Sequence, residues 1–499
     1  MQTMPTPPLG VAPGRERTAA GSNRRATRRR AVLAGVGEAR NHPERGDQPT
    51  QPVALATTAA RSALAEAGLA VDSSAVGIVC ATVGSDDSPD PAGAVREALG
   101  LSGAGTVVAG VGVPQQRLVS SAILAVESGS VDSVLIIGTE AKSSSLTARR
   151  SGGAAPETPQ GPGADDLWLP EGEFMAEAEV AAAMWDPVTQ YALIDSALAR
   201  AEGRSPQQLR GDVSELWERF DRVAGSNPEA CFAAPHTAAE LAATTEDNRL
   251  LAFPYNKWHS TQWALDHAVA LVISAEEVAL ANGVAADQLV HPRVALDSSW
   301  GLSLTRRAEP HRWPMMRIMG EAAAEHLEAD LSGIDATELY SCFPASVRVQ
   351  QRELALAVGG TPTVLGGMPF AGGPFNHFTY MATAELARRL RSGESDLALI
   401  STVSGLLTKG GLMVWGREPD PSGALVADVA PEARAATLPQ DLAPFDTDRD
   451  LRADDTVVAA TVTGGFDPRV FRIVDDQEGV RHVISRSAEA GEDPLAVLT

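Results

Sequence analysis

The sequence contains little cysteine: three residues, Cys80, Cys231 and Cys342, are spread over 499 positions. An odd number of thiols at such wide spacing predicts neither a disulfide framework nor a zinc site, because both need paired or clustered cysteines. We therefore expect the thiols to stay reduced and the protein to be cytoplasmic.

Long apolar runs are also missing. No segment approaches the roughly 18 consecutive apolar residues that a membrane-spanning helix needs. The 44% of hydrophobic residues instead predicts a soluble protein with a sizeable core, and 499 residues allow several domains. A membrane is therefore not an expected partner.

Positive charge is scarce outside one end of the chain. The formal net charge is −23, so nucleic acids and anionic surfaces would be repelled and are not expected as partners. Residues 1–29 are the exception, and their Arg, Pro, Gly and Ser content predicts a disordered basic tail. The arginines before Ala31 superficially resemble a twin-arginine export signal. However, the apolar segment ends early, at Glu38, and no small-residue cleavage site follows.

Familiar catalytic motifs have no counterpart in the sequence. It contains no Walker loop, no cluster of metal-ligand residues and no Gly-x-Ser-x-Gly turn. Gly110-Val111-Gly112 is too short for a dinucleotide fingerprint. We therefore predict no metal site and no permanently bound cofactor.

The sequence does contain a repeated alternation of apolar strands and helices, which predicts an α/β protein with two similar halves. The first predicted half is 31–289 and includes a helical insertion at 142–250, which begins with a flexible, Ser-, Gly- and Pro-rich connection over 142–170. The second half is 290–418. Residues 419–499 form a small β-rich unit, because a strand and a hairpin are predicted near its end. A docking role, a lid role and a mere decoration are all open for this unit.

A Gly-rich loop at Leu365–Phe378 is the most distinctive segment of the second half. Four glycines and two prolines rule out a helix or a central strand, and the Ala- and Met-rich residues that follow predict a helix leaving the loop. Glycines at such a transition let a ligand approach backbone N–H groups closely. The loop supplies Gly372, Gly373 and Asn376 as candidate substrate-binding residues and His377 as an acid/base candidate. The alternative is a tight structural connection.

Three other segments supply candidates. Cys342 follows a predicted strand and precedes a helix, where a thiol pKa can be lowered, although an inert buried cysteine is the alternative. Ser404 and Gly405 also follow a strand, but no histidine or lysine activator is adjacent to Ser404 in sequence, so helix capping is the alternative. His259 lies in a mixed polar and aromatic segment that either lines a pocket or packs the insertion onto the core.

Four segments, taken in their order and spacing, resemble the thiolase superfamily over about residues 31–416, and most closely its thiolase-like, lipid-transfer-associated branch. They are Ala125–Glu140, Asn248–Glu277, Leu339–Phe343 and the run from Gly366-Gly367 to Gly372-Gly373-Pro374. The resemblance implies a duplicated five-layer α/β fold, with a loop insertion in the first half that covers a coenzyme A site. It also implies activity of the acyl-CoA acyltransferase class and, because dimers are common in the family, a homodimer.

The sequence departs from the family at the positions that the resemblance implies are catalytic. Counted without gaps, the nucleophilic cysteine falls on Gly112, the Gly-His-Pro histidine on Gly373 and the Cys-x-Gly cysteine on Ser404. Tyr340-Ser341 stands where the family has His-Asp, and only Cys342 and Phe343 match that turn. The usual thiolate mechanism therefore does not transfer, although backbone N–H groups near Gly373 and Gly405 remain candidate oxyanion donors.

Two functions follow as hypotheses from these observations. In the first, the protein binds an acyl-CoA or related thioester and transfers its acyl group by a non-standard mechanism that uses Cys342, His377 or Ser404. In the second, it is a non-catalytic acyl-CoA-binding or partner protein that has kept the scaffold. Filling of the space beside Gly373 by neighbouring side chains would weigh against catalysis there.

Overall fold

The computed structural model describes residues 29–154, 160–232 and 234–489, together with Leu495 and Leu498. The predicted basic tail at 1–29 lies outside these ranges except for Arg29.

The strands of the described ranges are β1 (Ala31–Asn41), β2 (Val76–Thr82), β3 (Gly105–Ala109), β4 (Ser133–Ala141), β5 (Asp166–Trp168), β6 (Leu250–Ala252), β7 (Tyr255–Asn256), β8 (Asp266–Ala275), β9 (His291–Ser298), β10 (Ala336–Glu338), β11 (Leu397–Ser404), β12 (Lys409–Gly416), β13 (Leu425–Asp428), β14 (Thr456–Val462), β15 (Arg469–Asp475) and β16 (Arg481–Ser487).

The α-helices of the same ranges are α1 (Pro52–Glu66), α2 (Pro91–Leu99), α3 (Gln115–Glu127), α4 (Lys142–Arg150), α5 (Glu177–Ala181), α6 (Pro187–Ala201), α7 (Pro206–Ala224), α8 (Ala238–Ala242), α9 (Glu276–Ala281), α10 (Pro314–Leu327), α11 (Pro344–Glu353), α12 (Phe378–Ser392) and α13 (Ala430–Ala436).

Two mixed sheets repeat the same pattern of strands. The first has the order β1-β8-β4-β2-β3-β5, and the second has the order β10-β11-β12-β9-β13. In the first sheet β2 and β4 are parallel, whereas β8 runs antiparallel to both β4 and β1. In the second sheet β10 and β11 are parallel, whereas β12 runs antiparallel to both β11 and β9. The strands β2-β4-β8-β1 of the first sheet therefore correspond to β10-β11-β12-β9 of the second, both in their order across the sheet and in their directions.

Helices cover both faces of both sheets. Helices α1 and α2 pack on one face of the first sheet, and α10 packs on the outer face of the second. Helices α3 and α12 contact each other, and each contacts strands of both sheets, so they form a central layer. β4 and β8 are buried along their whole length, which explains their near-continuous apolar sequences. The result is the predicted five-layer α/β arrangement.

The duplication is incomplete at one place. In the first half, β3 follows α2 and leads into α3, whereas in the second half the Gly-rich loop occupies the corresponding position between α11 and α12. Its glycines and prolines cannot form the missing strand. The loop therefore replaces the third strand of the second half.

The helical insertion and the C-terminal unit pack on each other. Helices α6, α7 and α8 lie in the predicted insertion, and α6 contacts β14 of the three-stranded sheet β14-β15-β16. The backbone N–H of Ala460 donates to Ser196 Oγ across this contact (3.0 Å). The start of the insertion was predicted as a flexible connection over 142–170. Its described residues contain α4 and the edge strand β5. Residues 155–159 lie outside the described ranges.

Candidate functional site

The Gly-rich loop is anchored at its start by a buried carboxylate. Glu338, the last residue of β10, accepts hydrogen bonds from the backbone N–H groups of Val364 (2.8 Å) and Leu365 (2.9 Å) and from Thr363 Oγ1 (2.9 Å). Burial raises the pKa of Glu338 to about 7, although these hydrogen bonds oppose the shift. The loop is therefore fixed to the sheet edge where a third strand would otherwise pair.

The first two glycines of the loop make room for the helical insertion. A Cβ on Gly366 would lie 2.4 Å from Ala224 Cα, and one on Gly367 would lie 2.5 Å from the Phe220 ring. Both glycines have positive φ angles, 101° and 76°. Close packing against α7 is therefore enough to explain why these positions are glycine, and no ligand is needed to explain it.

The predicted binding residues of the loop also face protein atoms. A Cβ on Gly373 would lie 2.3 Å from Thr261 Cγ2, and a Cβ on Gly372 would lie 3.1 Å from Leu265 Cδ2. The N–H of Gly373 donates to the Gln262 carbonyl (2.9 Å), so this candidate oxyanion donor is already bound to a protein acceptor. Asn376 is buried, and its Nδ2 donates to the Val83 carbonyl (3.2 Å). The space beside Gly373 is thus filled.

Cys342 is partly exposed and lies just before α11. Its carbonyl accepts hydrogen bonds from both the N–H and Oγ1 of Thr261 (3.1 Å each). Burial raises the pKa of its thiol to about 11, and hydrogen bonding with Tyr191 and Ser346 offsets this only in part. The thiol is therefore protonated at neutral pH, contrary to what a thiolate nucleophile requires.

His377 is buried and belongs to a chain of polar groups that leads away from the loop. Its Nε2 lies 3.0 Å from Nδ1 of His267, whose Nε2 lies 3.0 Å from Oε1 of Glu38. Burial lowers the pKa of both imidazoles, and each is neutral. Burial opposes ionisation of Glu38, but His267, Arg388 and Arg40 hold its pKa well below the usual range. His267 therefore donates to Glu38 and accepts from His377.

Gly138 on β4 provides the space in which the His377 ring lies. A Cβ at position 138 would be 2.1 Å from His377 Cβ and 2.4 Å from Cγ. We expect Gly138→Ala to lower the free energy of unfolding by about 2 to 3 kcal/mol, because the central layer cannot shift freely. Urea unfolding followed by circular dichroism measures this loss.

The control for this prediction is Gly103→Ala. A Cβ on Gly103 would meet no atom within 4 Å, so the same substitution should leave the unfolding midpoint nearly unchanged. Equal midpoints for the two variants would contradict the close packing of His377 on Gly138.

His259 is fully buried between the insertion and the segment that follows it. Its Nε2 lies 3.1 Å from Ser214 Oγ, and its Nδ1 accepts from the N–H of Asn256 (3.2 Å). Burial lowers its pKa to about 3. Both ring nitrogens have partners within the protein, so the predicted substrate contact would require His259 to leave them.

Ser404 and Gly405 lie at the end of β11, where the chain turns into β12. Gly405 has a φ of 59°, and a Cβ there would lie 3.0 Å from the ring of Phe174. The same ring would lie 3.7 Å from a Cβ on Gly112, which immediately precedes Val113 and the start of α3. Phe174 therefore covers the two positions at which the resemblance placed the nucleophile and the Cys-x-Gly turn.

Lys409 is the residue at this turn that the sequence reasoning missed. It pairs with Ser404 in the antiparallel register of β11 and β12, so the two side chains lie on the same face of the sheet. Its Nζ is buried without a hydrogen-bond partner and lies 5.2 Å from the centroid of the Phe174 ring. Burial lowers the pKa of Lys409 to about 8, although Glu171 opposes the shift.

The predicted residues therefore fall into separate groups. Thr261 donates hydrogen bonds to the Cys342 carbonyl and packs against Gly373, so these two residues form one group. His377 instead lies within hydrogen-bond distance of His267, and His259 lies within hydrogen-bond distance of Ser214. Ser404 instead lies opposite Lys409 in the β11–β12 register, and the lysine amine forms no hydrogen bond with the Ser404 hydroxyl or with any other group of the described residues. In general an unpaired amine of lowered pKa beside a hydroxyl is a recognised way to activate an oxygen nucleophile.

Comparison with known structures identifies proteins that share this architecture. A monomeric SCP2-thiolase-like protein type 1 from Mycobacterium smegmatis matches with a TM-score of 0.74 at 24% sequence identity, over 91% of this chain and 92% of the other. The protein has a thiolase-like fold. The Ltp2-ChsH2(DUF35) aldolase matches with a TM-score of 0.57 at 19% identity, over 78% of this chain and 97% of the other. No family model matches the sequence, and no curated protein matches it either.

Among the described residues, no helix combines the length and the apolar character that crossing a bilayer requires.

Proposed function

We propose that this thiolase-like protein binds an acyl-CoA or related thioester and transfers the acyl group through Ser404, with Lys409 as the base. The observation that carries this proposal is that Ser404 and Lys409 are register partners in β11 and β12, and that the Lys409 amine is buried without a hydrogen-bond partner. It is a form of the non-standard acyltransferase mechanism for which the sequence named Cys342, His377 and Ser404 as candidates, with His377 as the acid/base group and no activator adjacent to Ser404.

The pKa of Lys409 suits it to this role. At a pKa of about 8, a fraction on the order of a tenth of the amine is neutral at pH 7 and can accept a proton. The neutral amine removes the proton of Ser404 Oγ, the oxygen attacks the thioester carbon, and the C–S bond breaks. The ammonium then protonates the departing CoA thiolate, leaving an acyl ester on Ser404. Water or a hydroxyl or amine acceptor completes the transfer.

Other groups near the loop support the choice of Ser404 over Cys342. The Cys342 thiol has a raised pKa and no base among its hydrogen-bond partners, which are Tyr191 and Ser346. The His377 ring is committed to His267. Phe174, which is partly exposed at 37%, would have to move for a thioester to reach Gly405. The proposed mechanism therefore includes displacement of the Phe174 ring.

The test is release of CoA thiol from acetyl-CoA and hexanoyl-CoA, followed with a thiol reagent under single-turnover conditions. We expect Lys409→Met to slow release about 100-fold, the usual contribution of a general base, and Ser404→Ala to abolish the acyl adduct seen by mass spectrometry. The rate for the unmodified chain should rise through a midpoint near pH 8, where Lys409 loses its proton.

The matched control is Lys257→Met. The sequence contains three lysines, and Lys257 lies on the short helix next to His259 rather than at the β11–β12 turn. This variant should release CoA at the unmodified rate. Unchanged release in Lys409→Met, or an adduct that persists in Ser404→Ala, would overturn the mechanism.

The second candidate function is the non-catalytic thioester-binding or partner protein. The filled space beside Gly373 favours it, because the covering side chains Thr261 and Met368 leave no room there. Calorimetric binding of acyl-CoA without thiol release would support it, and no binding of any acyl-CoA would remove both functions. Release that is lost in Cys342→Ala would instead assign the chemistry to that thiol.

A partner chain and a homodimer are further proposals. One structural neighbour is an aldolase described with a DUF35 partner, whereas the Mycobacterium smegmatis neighbour is described as monomeric. Size-exclusion chromatography with light scattering distinguishes a monomer from the homodimer that the resemblance implied.

A further inference from the structure

The open edge of the first sheet carries exposed leucines. Among the strands of the described ranges, β5 pairs only with β3 and is the last strand of this sheet. Leu167 and Leu169 are 54% and 65% exposed, whereas Trp168 between them is buried. The Trp168 carbonyl accepts from the N–H of Gly110 (2.8 Å), so the backbone groups of Leu167, which alternate in direction with those of Trp168, point away from β3. This edge has room for one more strand.

The exposed leucines continue into further apolar side chains. A Cβ on Gly110 would lie 3.5 Å from Leu169 Cδ2, and a Cβ on Gly112 would lie 3.7 Å from the Phe174 ring. Val111, between these two glycines, is half exposed. Apolar side chains that adjoin one another on an exposed surface are typical of a docking site. We call this patch the β5 surface; its members are Val111, Leu167, Leu169 and Phe174.

The segment that supplies most of the β5 surface carries charge of one sign. Residues 160–199 contain eight Asp and Glu residues and no Lys, Arg or His. Asp166 on β5 is exposed; its carboxylate accepts from Trp168 Nε1 (2.8 Å), and no cationic side chain of the described residues pairs with it. An apolar patch within an acidic segment favours a partner that presents basic residues around apolar ones.

The same charge excludes other occupants. A second copy of this chain, with its net charge of −23, would bring the acidic segment against itself. Like charges that face each other across an interface cost several kcal/mol in general. Anionic membranes and nucleic acids are repelled for the same reason. Charge complementarity therefore fits a separate protein chain with a basic contact segment.

We propose that the β5 surface docks an extended segment of a separate protein chain in which apolar and basic residues alternate. Leu167 and Leu169 lie on one face of the strand and Asp166 on the other, so an added strand packs its apolar side chains on the leucines and directs its basic ones toward Asp166. Hydrogen bonds to the backbone of Leu167 fix its register. The docking does not rest on the proposed acyl transfer, although Phe174 belongs to both surfaces.

Fluorescence anisotropy of the full chain with a short, fluorescein-labelled peptide that alternates Arg and Leu tests the β5 surface. We expect this peptide to bind. A peptide that alternates Arg and Ser should bind at least about tenfold more weakly, because it carries the same charge but buries no leucine. Leu169→Ser should weaken the Arg-Leu peptide about tenfold for the same reason. Asp166→Asn should reduce the salt dependence of binding, because it removes one of the attracting charges.

Phe466→Ser is the matched control, because Phe466 is also an exposed apolar side chain but lies between β14 and β15. It should bind the Arg-Leu peptide like the unmodified chain. Absence of binding, equal affinity for the Arg-Ser peptide, or unchanged affinity in Leu169→Ser would overturn the proposal; the last result would indicate general attraction to an acidic chain.

Two further measurements separate this partner from the other occupants. Tighter binding of a synthetic peptide of residues 1–28 would assign the β5 surface to this chain's own basic segment and overturn the proposal. A dimer seen by light scattering that Leu169→Ser dissociates would assign the surface to a second copy, with the same consequence. Thiol release from acyl-CoA, measured on the same variants, reports the acyl-transfer function separately.

Discussion

Arg348→Met is expected to lower the free energy of unfolding by about 3 to 5 kcal/mol, the usual cost of removing one partner of a buried ion pair. Arg348 on α11 binds Asp195 on α6, and both side chains are buried. Tyr255 donates to the other oxygen of Asp195 and accepts from the backbone N–H of Ala345 (3.2 Å). Without Arg348, the Asp195 carboxylate is left buried without an ion-pair partner, and only the more distant charge of Arg352 still acts on it. Urea unfolding followed by circular dichroism measures the loss.

The control is Arg352→Met, one helical turn away. Arg352 pairs with Glu202 at 2.5 Å, but both side chains are partly exposed, so this pair should contribute at most about 1 kcal/mol. Removing both buried charges, in Asp195→Leu with Arg348→Met, should recover part of the stability lost in the single variant. A cost for Arg348→Met no larger than that for Arg352→Met would contradict this account of how the insertion is held to the second half.

The predictable part of the fold was the alternation of strands and helices. Apolar segments such as Val76–Ala81 and Val134–Gly138 are long enough and regular enough to identify strands, which the structure places at Val76–Thr82 and Ser133–Ala141. The replacement of a strand by the Gly-rich loop was not predicted. It depends on comparing the order of strands in the two sheets, and pairing between strands is a long-range property that periodicity does not contain.

The candidate site at Ser404 and Lys409 was also only partly predictable, because it too depends on pairing between strands. Ser404 was a candidate from its place after a strand, and the nearest lysine is five positions along the chain, which looks too far for an activator. The β11–β12 turn brings Lys409 directly opposite Ser404. Two apolar strands joined by a short segment predict a hairpin, and that signal could have paired the two residues. Their burial, which lowers the pKa of Lys409, depends on Phe174 from a distant segment and has no local signal.

For the glycines of the Gly-rich loop, the sequence suggested a functional role where the structure shows a packing role. Glycine next to a helix start is typical of a ligand site, yet in this protein Gly366 and Gly367 accommodate Ala224 and Phe220 of α7. Sequence alone does not distinguish close approach of a ligand from close approach of another helix. The structural alternative named for the loop therefore accounts for these two positions.

Acid should destabilise the protein through its buried histidines, and His259 is one histidine at which this effect can be measured. Its pKa is about 3 in the folded protein, lowered by burial, against an ordinary value of 6.5. Below pH 6.5 the unfolded chain gains a proton that the folded protein does not accept until about pH 3. The free energy of unfolding therefore falls as pH drops through this window and is unaffected by His259 above it.

Between pH 7 and pH 4 this one residue should remove about 3 kcal/mol, at roughly 1.4 kcal/mol for each pH unit below its ordinary pKa. His259→Asn keeps an acceptor for the Asn256 N–H and a donor for Ser214 but cannot titrate, so its urea midpoint should fall less steeply with acid. Trp217→Phe is the control: it removes the hydrogen bond to the His259 carbonyl (3.2 Å) without removing a titrating group, so it should keep the steep dependence. Equal pH slopes for His259→Asn and the unmodified chain would show that His259 leaves its buried partners in acid. The ring would then be free to reach a ligand, which is one of the two alternatives that the sequence left open for this segment.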